Sequence, residues 1–259
     1  MKKIFFMFIV LLIFIPIISV TIFIPLRDSR GEDRLTDTQK TEITTLPSPI
    51  TIIIDAGHGG EDGGAVGKNG VLEKDINLSI AFMVEDILKD NGYLTIMTRS
   101  DDRLLYDKNT DYEGRKKQLD LAARVEIAEK TDDAIFVSIH MNSFSQTRYK
   151  GLQVYYSKNS PESKTLAEEI QQNARLLLDT SNNRVAKVAG SNIFLLDRIT
   201  RPAVLIECGF LSNTEECAKL STEEYQREVS EVICLSIISY LEGISQNDQE
   251  NTDISHIAP

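Results

Sequence analysis

Four residues of this chain could do chemistry together: His58, Glu73, His140 and Glu207. His58 follows the apolar run Ile50 to Ile54 and opens a loop holding Gly59, Gly60, Gly63, Gly64, Gly67 and Gly70. So many glycines exclude a helix or strand interior, because each adds backbone entropy and no packing. Glu73 closes that loop, fifteen positions downstream, just before a helical pattern. His140 ends the apolar run Ala134 to Ile139, and Glu207 ends the run Ala203 to Ile206. In a parallel sheet these run ends share one edge, and Glu73 can fold back to it. Two imidazoles and one carboxylate are the ligand set of an open catalytic zinc site, with water in the fourth position.

Each residue also has a plainer role. A histidine at a strand end is often a hydrogen-bonded structural residue, and Glu73 suits a helix N-terminus electrostatically. Glu207 could pair with Arg201 or Lys187. The combination favours the metal site, since His58 and His140 are the only histidines before the tail residue His256 and both follow apolar runs. The cysteines Cys208, Cys217 and Cys234 show no metal-binding spacing and read as small buried hydrophobes. Cys208 adjoins Glu207 but must point to the other sheet face.

The elements that position these residues alternate in type. Strands are predicted at Ile50–Ile54, Tyr93–Thr98, Ala134–Ile139, Gly151–Tyr156, Ile193–Leu196 and Ala203–Ile206. Helices are predicted at Lys74–Asn91, Arg115–Lys130, Ser160–Leu178 and Thr222–Leu241, with apolar stripes at helical spacing. Ser100–Gly114 and Thr180–Asn192 read as polar loops. The pattern implies an α/β single domain: a mostly parallel mixed sheet of about six strands covered by helices on both faces.

The domain spans residues 50–243 of 259. Before it, Lys2 and Lys3 precede an uncharged run from Ile4 to Leu26, long enough to cross a bilayer. No small-x-small cleavage site follows, so residues 1–26 read as an uncleaved signal anchor. Residues 27–49 form a polar tether ending in Pro47-Ser48-Pro49, and residues 244–259 a polar tail. The net charge of −11 gives no basic footprint for nucleic acid, so none is expected as a partner.

Several ordered motifs resemble the zinc-dependent N-acetylmuramoyl-L-alanine amidases of the amidase-3 family. They are Ile-Asp-Ala-Gly-His-Gly-Gly at 54–60 with Asp62 and Gly63-Gly64-Ala65, then Glu73-Lys74, then Ser138-Ile139-His140-x-Asn142, then Pro202-Ala203-Val204-Leu205-Ile206-Glu207-x-Gly209-Phe210-Leu211-Ser212-Asn213. The resemblance covers about Ile52 to Leu241 and includes Thr98-Arg99 and Arg124, which have no obvious catalytic role. It implies one zinc ion held by His58, Glu73 and His140, Glu207 as the catalytic carboxylate, and peptidoglycan as substrate. Asn142, Arg184 and Lys187 are candidate substrate contacts, the last two toward carboxylates; the equal alternative is a solvated loop.

Only Met141 to Lys150 separates His140 from the next strand, so no autoinhibitory helix of the kind some family members insert there is expected. Anchor, single catalytic domain and the stretch Gly151 to Tyr156 together resemble the spore-cortex, germination-specific CwlD type. That type implies action at the cell wall or spore cortex, in sporulation and the formation of muramic-δ-lactam, and an activating protein partner. The competing readings are a metal-dependent peptidase or deacetylase with the same ligands, and a non-catalytic wall-binding protein that kept the fold.

Overall fold

The computed structural model describes residues 50–106, 109 and 114–255, with side chains described to Ile244. The signal anchor, the tether and His256 lie outside the described residues. No helix among the described residues is long and apolar enough to cross a membrane.

Among the described residues, six strands form one sheet: β1 (Thr51–Ala56), β2 (Leu94–Met97), β3 (Ala134–Asn142), β4 (Gln153–Tyr156), β5 (Lys187–Val188) and β6 (Ala203–Phe210). Their spatial order is β2-β1-β3-β6-β4-β5. All neighbouring pairs are parallel except β4 and β6, which run antiparallel. The central strands carry runs of buried apolar residues, as a sheet covered on both faces requires.

Alternation along the strands builds two cores. Ile52, Ile54, Val137, Ile139, Val204 and Ile206 face one side. There they meet α1 (Glu73–Asp90), α3 (Glu162–Leu177) and α6 (Glu223–Ser255) through Ile80, Leu166, Ile233 and their neighbours. Ile53, Phe136 and Leu205 face the other side and meet Ala128 of α2 (Lys116–Lys130) and Leu195 and Leu196 of α4 (Phe194–Arg198).

Four features differ from the sequence reading. The run Ile193–Leu196 is not a strand; it leads into α4. Four apolar residues cannot distinguish a strand from a helical turn, and one turn buries Leu195 and Leu196 side by side. The sixth strand is instead β5, two residues at the sheet edge inside the predicted polar loop. A further helix, α5 (Thr214–Leu220), begins after Asn213, whose side chain accepts from the backbone N–H of Glu215 and Glu216. An Asn followed three residues later by Glu is a helix-start signal the sequence carried. The last helix runs to Ser255, well past Leu241, because no proline interrupts residues 242–255.

Candidate metal and catalytic site

Strand parity places the chemistry. Asp55, Ser138, His140 and Glu207 all lie on the α2/α4 side of the sheet, with Asp55 and Ser138 fully buried below. His140 and Glu207 sit inside β3 and β6 and are direct register partners. The β3–β6 register shifts between His140 and Asn142, and such irregularities re-aim side chains at strand ends. Cys208 points into the opposite core, where burial pushes its thiol pKa far up.

The glycine loop brings the other two residues in. His58 follows β1 with φ 61°, in the left-handed region. Glu73 is the first residue of α1 and is 3% exposed. Its Oε1 lies 2.9 Å from His140 Nδ1 and 3.1 Å from His58 Nε2. It also accepts from the Met141 N–H at 3.0 Å, while Oε2 accepts from the Ala65 N–H at 2.8 Å. One ligand atom from each of His58, Glu73 and His140 falls within 4.8 Å of the other two.

The electrostatics match this convergence. Burial opposes the Glu73 charge, but hydrogen bonds and charge pairing with His140 and His58 outweigh it and hold the carboxyl far below its ordinary range. Burial likewise opposes a charged His58, yet Glu73 and then Asp62 raise its pKa. Asp62 Oδ1 stands 3.0 Å from His58 Nδ1, and Lys117 3.1 Å from Asp62. A histidine whose remote nitrogen faces a carboxylate is oriented as metal-ligating histidines are. Two imidazoles and an ionised carboxylate, all converging, form a donor set that fits a divalent ion.

Two glycines keep this cradle open. A Cβ on Gly57 would lie 2.2 Å from His140 Nε2. At Gly64, with φ +67°, it would lie 2.6 Å from Glu73 Oε2 and 2.8 Å from His58 Cδ2. Gly57 lacks the left-handed backbone, so alanine there tests crowding alone. Gly57→Ala is expected to lower divalent-metal affinity about tenfold or more, with little change in fold. Calorimetric metal titration beside far-UV melting checks this, and unchanged affinity would show that the His140 ring yields freely.

Glu207 differs from these three. Its Oε2 is buried and has no hydrogen-bond partner among the described residues. Burial dominates its titration: the pKa is raised to about 7, His140 pulling it down and Glu73 pushing it up. A carboxyl poised near neutrality beside a metal-type donor set is suited to accept and return protons.

Arg99 and Arg124, which the sequence could match but not explain, hold the loop entrance. Arg124 is 1% exposed. It donates to Asp55, to Asp120, to the Ala56 carbonyl at 2.8 Å and to the His58 carbonyl at 2.7 Å. Arg99 donates to the carbonyls of Ala56, Gly57 and Lys74. Asp55 is held in turn by Thr98 and Ser138. Asp102, from the predicted polar loop, accepts from Lys74 and from the Gly60 N–H, both at 2.7 Å.

The three candidate substrate contacts scatter. Asn142 ends β3, half-buried, and its carbonyl accepts from the Leu211 N–H. Arg184 lies with its guanidinium 4.8 Å from the Phe210 ring centre, Nε donating to the Lys150 carbonyl. Lys187 is exposed on β5, paired in register with Tyr155.

With this geometry in place, comparison with known proteins is specific. Residues 52–239 match the family described as N-acetylmuramoyl-L-alanine amidase, Amidase_3. The germination-specific N-acetylmuramoyl-L-alanine amidase of Bacillus subtilis is 38% identical over 189 residues, covering 73% of this chain and 78% of that protein. The CwlD amidase of Clostridioides difficile, solved in complex with the GerS lipoprotein, superposes with a TM-score of 0.71 at 42% identity, over 74% of this chain and 98% of that one. The catalytic domain of CwlV, an N-acetylmuramoyl-L-alanine amidase from Bacillus (Paenibacillus) polymyxa, gives 0.62 at 34% identity, covering 74% of this chain and 98% of that domain.

Proposed function

We infer the reaction from the premise that this chain belongs to the N-acetylmuramoyl-L-alanine amidase family: it hydrolyses the amide joining the lactyl group of N-acetylmuramic acid to L-alanine of the peptidoglycan stem. The observation that carries the chemistry is the convergence of His58, Glu73 and His140 beside Glu207, whose buried Oε2 has no hydrogen-bond partner among the described residues.

We assign the three convergent residues to one zinc ion. Bound there, the metal would polarise the scissile carbonyl and make water acidic enough to attack near neutral pH. Glu73, kept ionised, carries no proton through the reaction. Glu207 takes the proton of the attacking water at Oε2 and returns it to the alanine nitrogen as the amide breaks. Arg124 and Arg99 keep the backbone of residues 56–58 fixed, so the His58 ring does not wander during turnover. Arg184 receives a stem-peptide carboxylate: its guanidinium lies over Phe210 with Nε tied to the Lys150 carbonyl, which leaves its fork oriented. Asn142, at the end of the strand that carries His140, belongs to the same substrate side, whereas Lys187, on the edge strand β5, is left without a substrate role.

The biological setting we propose is extracytoplasmic, at spore cortex, with the N-terminal run as the membrane anchor. Support comes from the likeness to the germination-specific and CwlD amidases. The same likeness supports an activating lipoprotein partner, as CwlD was solved with one.

The test weighs products. The protein is incubated with vegetative peptidoglycan and with cortex, with zinc or after chelation. Stem peptides beginning with L-alanine are expected only in the metal-loaded reaction, with activity returning when zinc is restored. Cleavage inside the peptide, or release of acetate, would replace the amidase reading with a peptidase or deacetylase. Equal yield after exhaustive chelation would remove the metal from the reaction.

A further inference from the structure

Beside the site lies a group of aromatic rings that the hydrolytic chemistry does not use. The loop after β3, residues 143–150, carries Phe144 and Tyr149, which are 50% and 36% exposed. Their rings meet edge to face, with centres 5.2 Å apart. Tyr149 continues onto Phe210 at 6.4 Å and a tilt of 30°. Phe210 is buried and stands three residues beyond Glu207 on β6, while Phe144 stands four beyond His140. The ledge therefore grows from the two strand ends that carry the reacting groups.

The loop is fixed to the segment that follows β6. The Phe144 N–H donates to Ser212 Oγ at 3.0 Å, and Asn213 Nδ2 donates to the Thr147 carbonyl at 2.9 Å. At its far end the Gly151 N–H donates to Glu216 Oε1 at 2.7 Å, whose other oxygen accepts from the Phe210 N–H at 2.8 Å. Cations occupy the flanks. The Arg148 guanidinium is 5.4 Å from the Tyr149 ring centre and Arg184 is 4.8 Å from that of Phe210. Phe144, outermost, keeps half its surface in water. Scattered exposed apolar residues need no explanation, but contiguous rings held rigid at the rim of a site mark a binding surface.

We propose that Phe144 and Tyr149 form a subsite for the glycan strand. A pyranose ring of the substrate stacks its C–H face on Phe144, and Tyr149 braces Phe144 in place. The assignment rests on the amidase reading for its choice of ligand. The scissile amide joins a sugar to an acidic peptide, so both must lie against this rim. The flanking arginines match the anionic peptide. The neutral, C–H-lined sugar matches the electron-rich aromatic face. The ledge adds binding to the acyl side of the bond and touches no proton, so it is a specificity element and not part of the proton relay.

The test compares the full-length protein with Phe144→Ala, Phe144→Tyr and Tyr149→Ala. Kinetics are read on two substrates: a multi-disaccharide strand bearing stem peptides, and a single N-acetylmuramoyl peptide. Binding is read separately by calorimetry, using Glu207→Gln protein and glycan strands stripped of peptide. Phe144→Ala is expected to raise KM for the long strand about tenfold with kcat within twofold, to change the single-sugar substrate far less, and to weaken stripped-strand binding about tenfold. Phe144→Tyr should restore all three. Equal losses on both substrates, or stripped strands that bind the variants as well as the parent, would overturn the subsite. If a bond other than the lactyl amide is cleaved yet stripped strands bind through Phe144, the amidase reading fails and the subsite stands. If the variants lose capture of a purified protein partner and not of glycan, the ledge is a protein-docking surface and the proposal is wrong.

Discussion

Glu207→Gln lowers turnover on peptidoglycan by about a thousandfold, the contribution expected of a positioned general acid–base. The variant still binds one equivalent of divalent metal, because Glu207 is not among the three converging donors. The same change is expected to stabilise the metal-free protein. Burial raises the folded-state pKa of Glu207 from the ordinary 4.5 to about 7. A group with a raised folded pKa contributes fully below its unfolded value, and that contribution is lost as pH rises through the folded value. Stability of the chelated wild type should therefore fall between about pH 4.5 and 7, by roughly 1–3 kcal/mol once residual solvent contact is discounted. Glutamine cannot ionise, so the variant keeps that stability at pH 8 and matches the wild type at pH 4. Metal narrows the difference, since a cation beside the carboxyl favours its charged form. Melting curves of chelated and loaded protein at both pH values, with product masses, settle the point. A variant releasing L-alanine peptides within tenfold of wild type would place the proton transfer on another residue.

This opposition between stability and chemistry explains why Glu207 Oε2 lacks a hydrogen-bond partner among the described residues. A neighbouring donor would satisfy its buried oxygen and lower its pKa, and the carboxyl would then hold a proton too weakly to return it. The fold keeps Glu207 short of partners while giving Glu73, also buried, two backbone N–H groups and two imidazoles. Two carboxylates on one sheet edge are thus driven apart in pKa, which separates the proton carrier from the permanently charged group.

How much of this could be read from the sequence follows from how each residue is held. His58, His140 and Glu207 were legible because apolar strand runs lead into ionisable residues, and strand ends of a parallel sheet share an edge. Strand parity also told correctly that Cys208 faces away. Glu73 was less legible: its place depends on fifteen loop residues returning to the start of α1. Arg99 and Arg124 were visible only as family matches, since they reach the loop through the backbone carbonyls of residues 56–58, contributed 42 to 68 positions earlier in the chain, and carbonyls have no residue type to find. The aromatic ledge was hidden for a related reason. Phe144, Tyr149 and Phe210 come from two segments that meet only after β3 pairs with β6. The misread run before Arg198 failed for want of length, and α5 was missed although its cap was written in Asn213 and Glu216.

The largest effect on stability is expected at Arg124, which sits between two buried carboxylates. Asp55 is fully buried, Asp120 is 3% exposed, and Arg124 reaches both, from the sheet side and from its own helix. Burial penalises every charge in the group. The pairing prevails, holding Asp55 below and Arg124 above their ordinary ranges. Replacing a buried ion pair with matched apolar residues is often harmless, but removing one partner leaves an uncompensated charge. Arg124→Met should thus cost about 3–5 kcal/mol, roughly 6–20 °C in melting temperature for a domain of this size. Arg124→Lys should recover little, because an ammonium cannot reproduce the guanidinium fork that spans Asp55, Asp120 and the carbonyls of Ala56 and His58. Asp55→Asn in the Arg124→Met background should recover part of the loss by removing the stranded charge. Because the His58 carbonyl is released as well, surviving Arg124→Met protein should bind metal more weakly at a temperature where it remains folded. Melting curves and metal titrations on the single and double variants test the coupling. A single variant melting within a degree or two of wild type would show that the carboxylates find other partners and that Arg124 is dispensable to the loop.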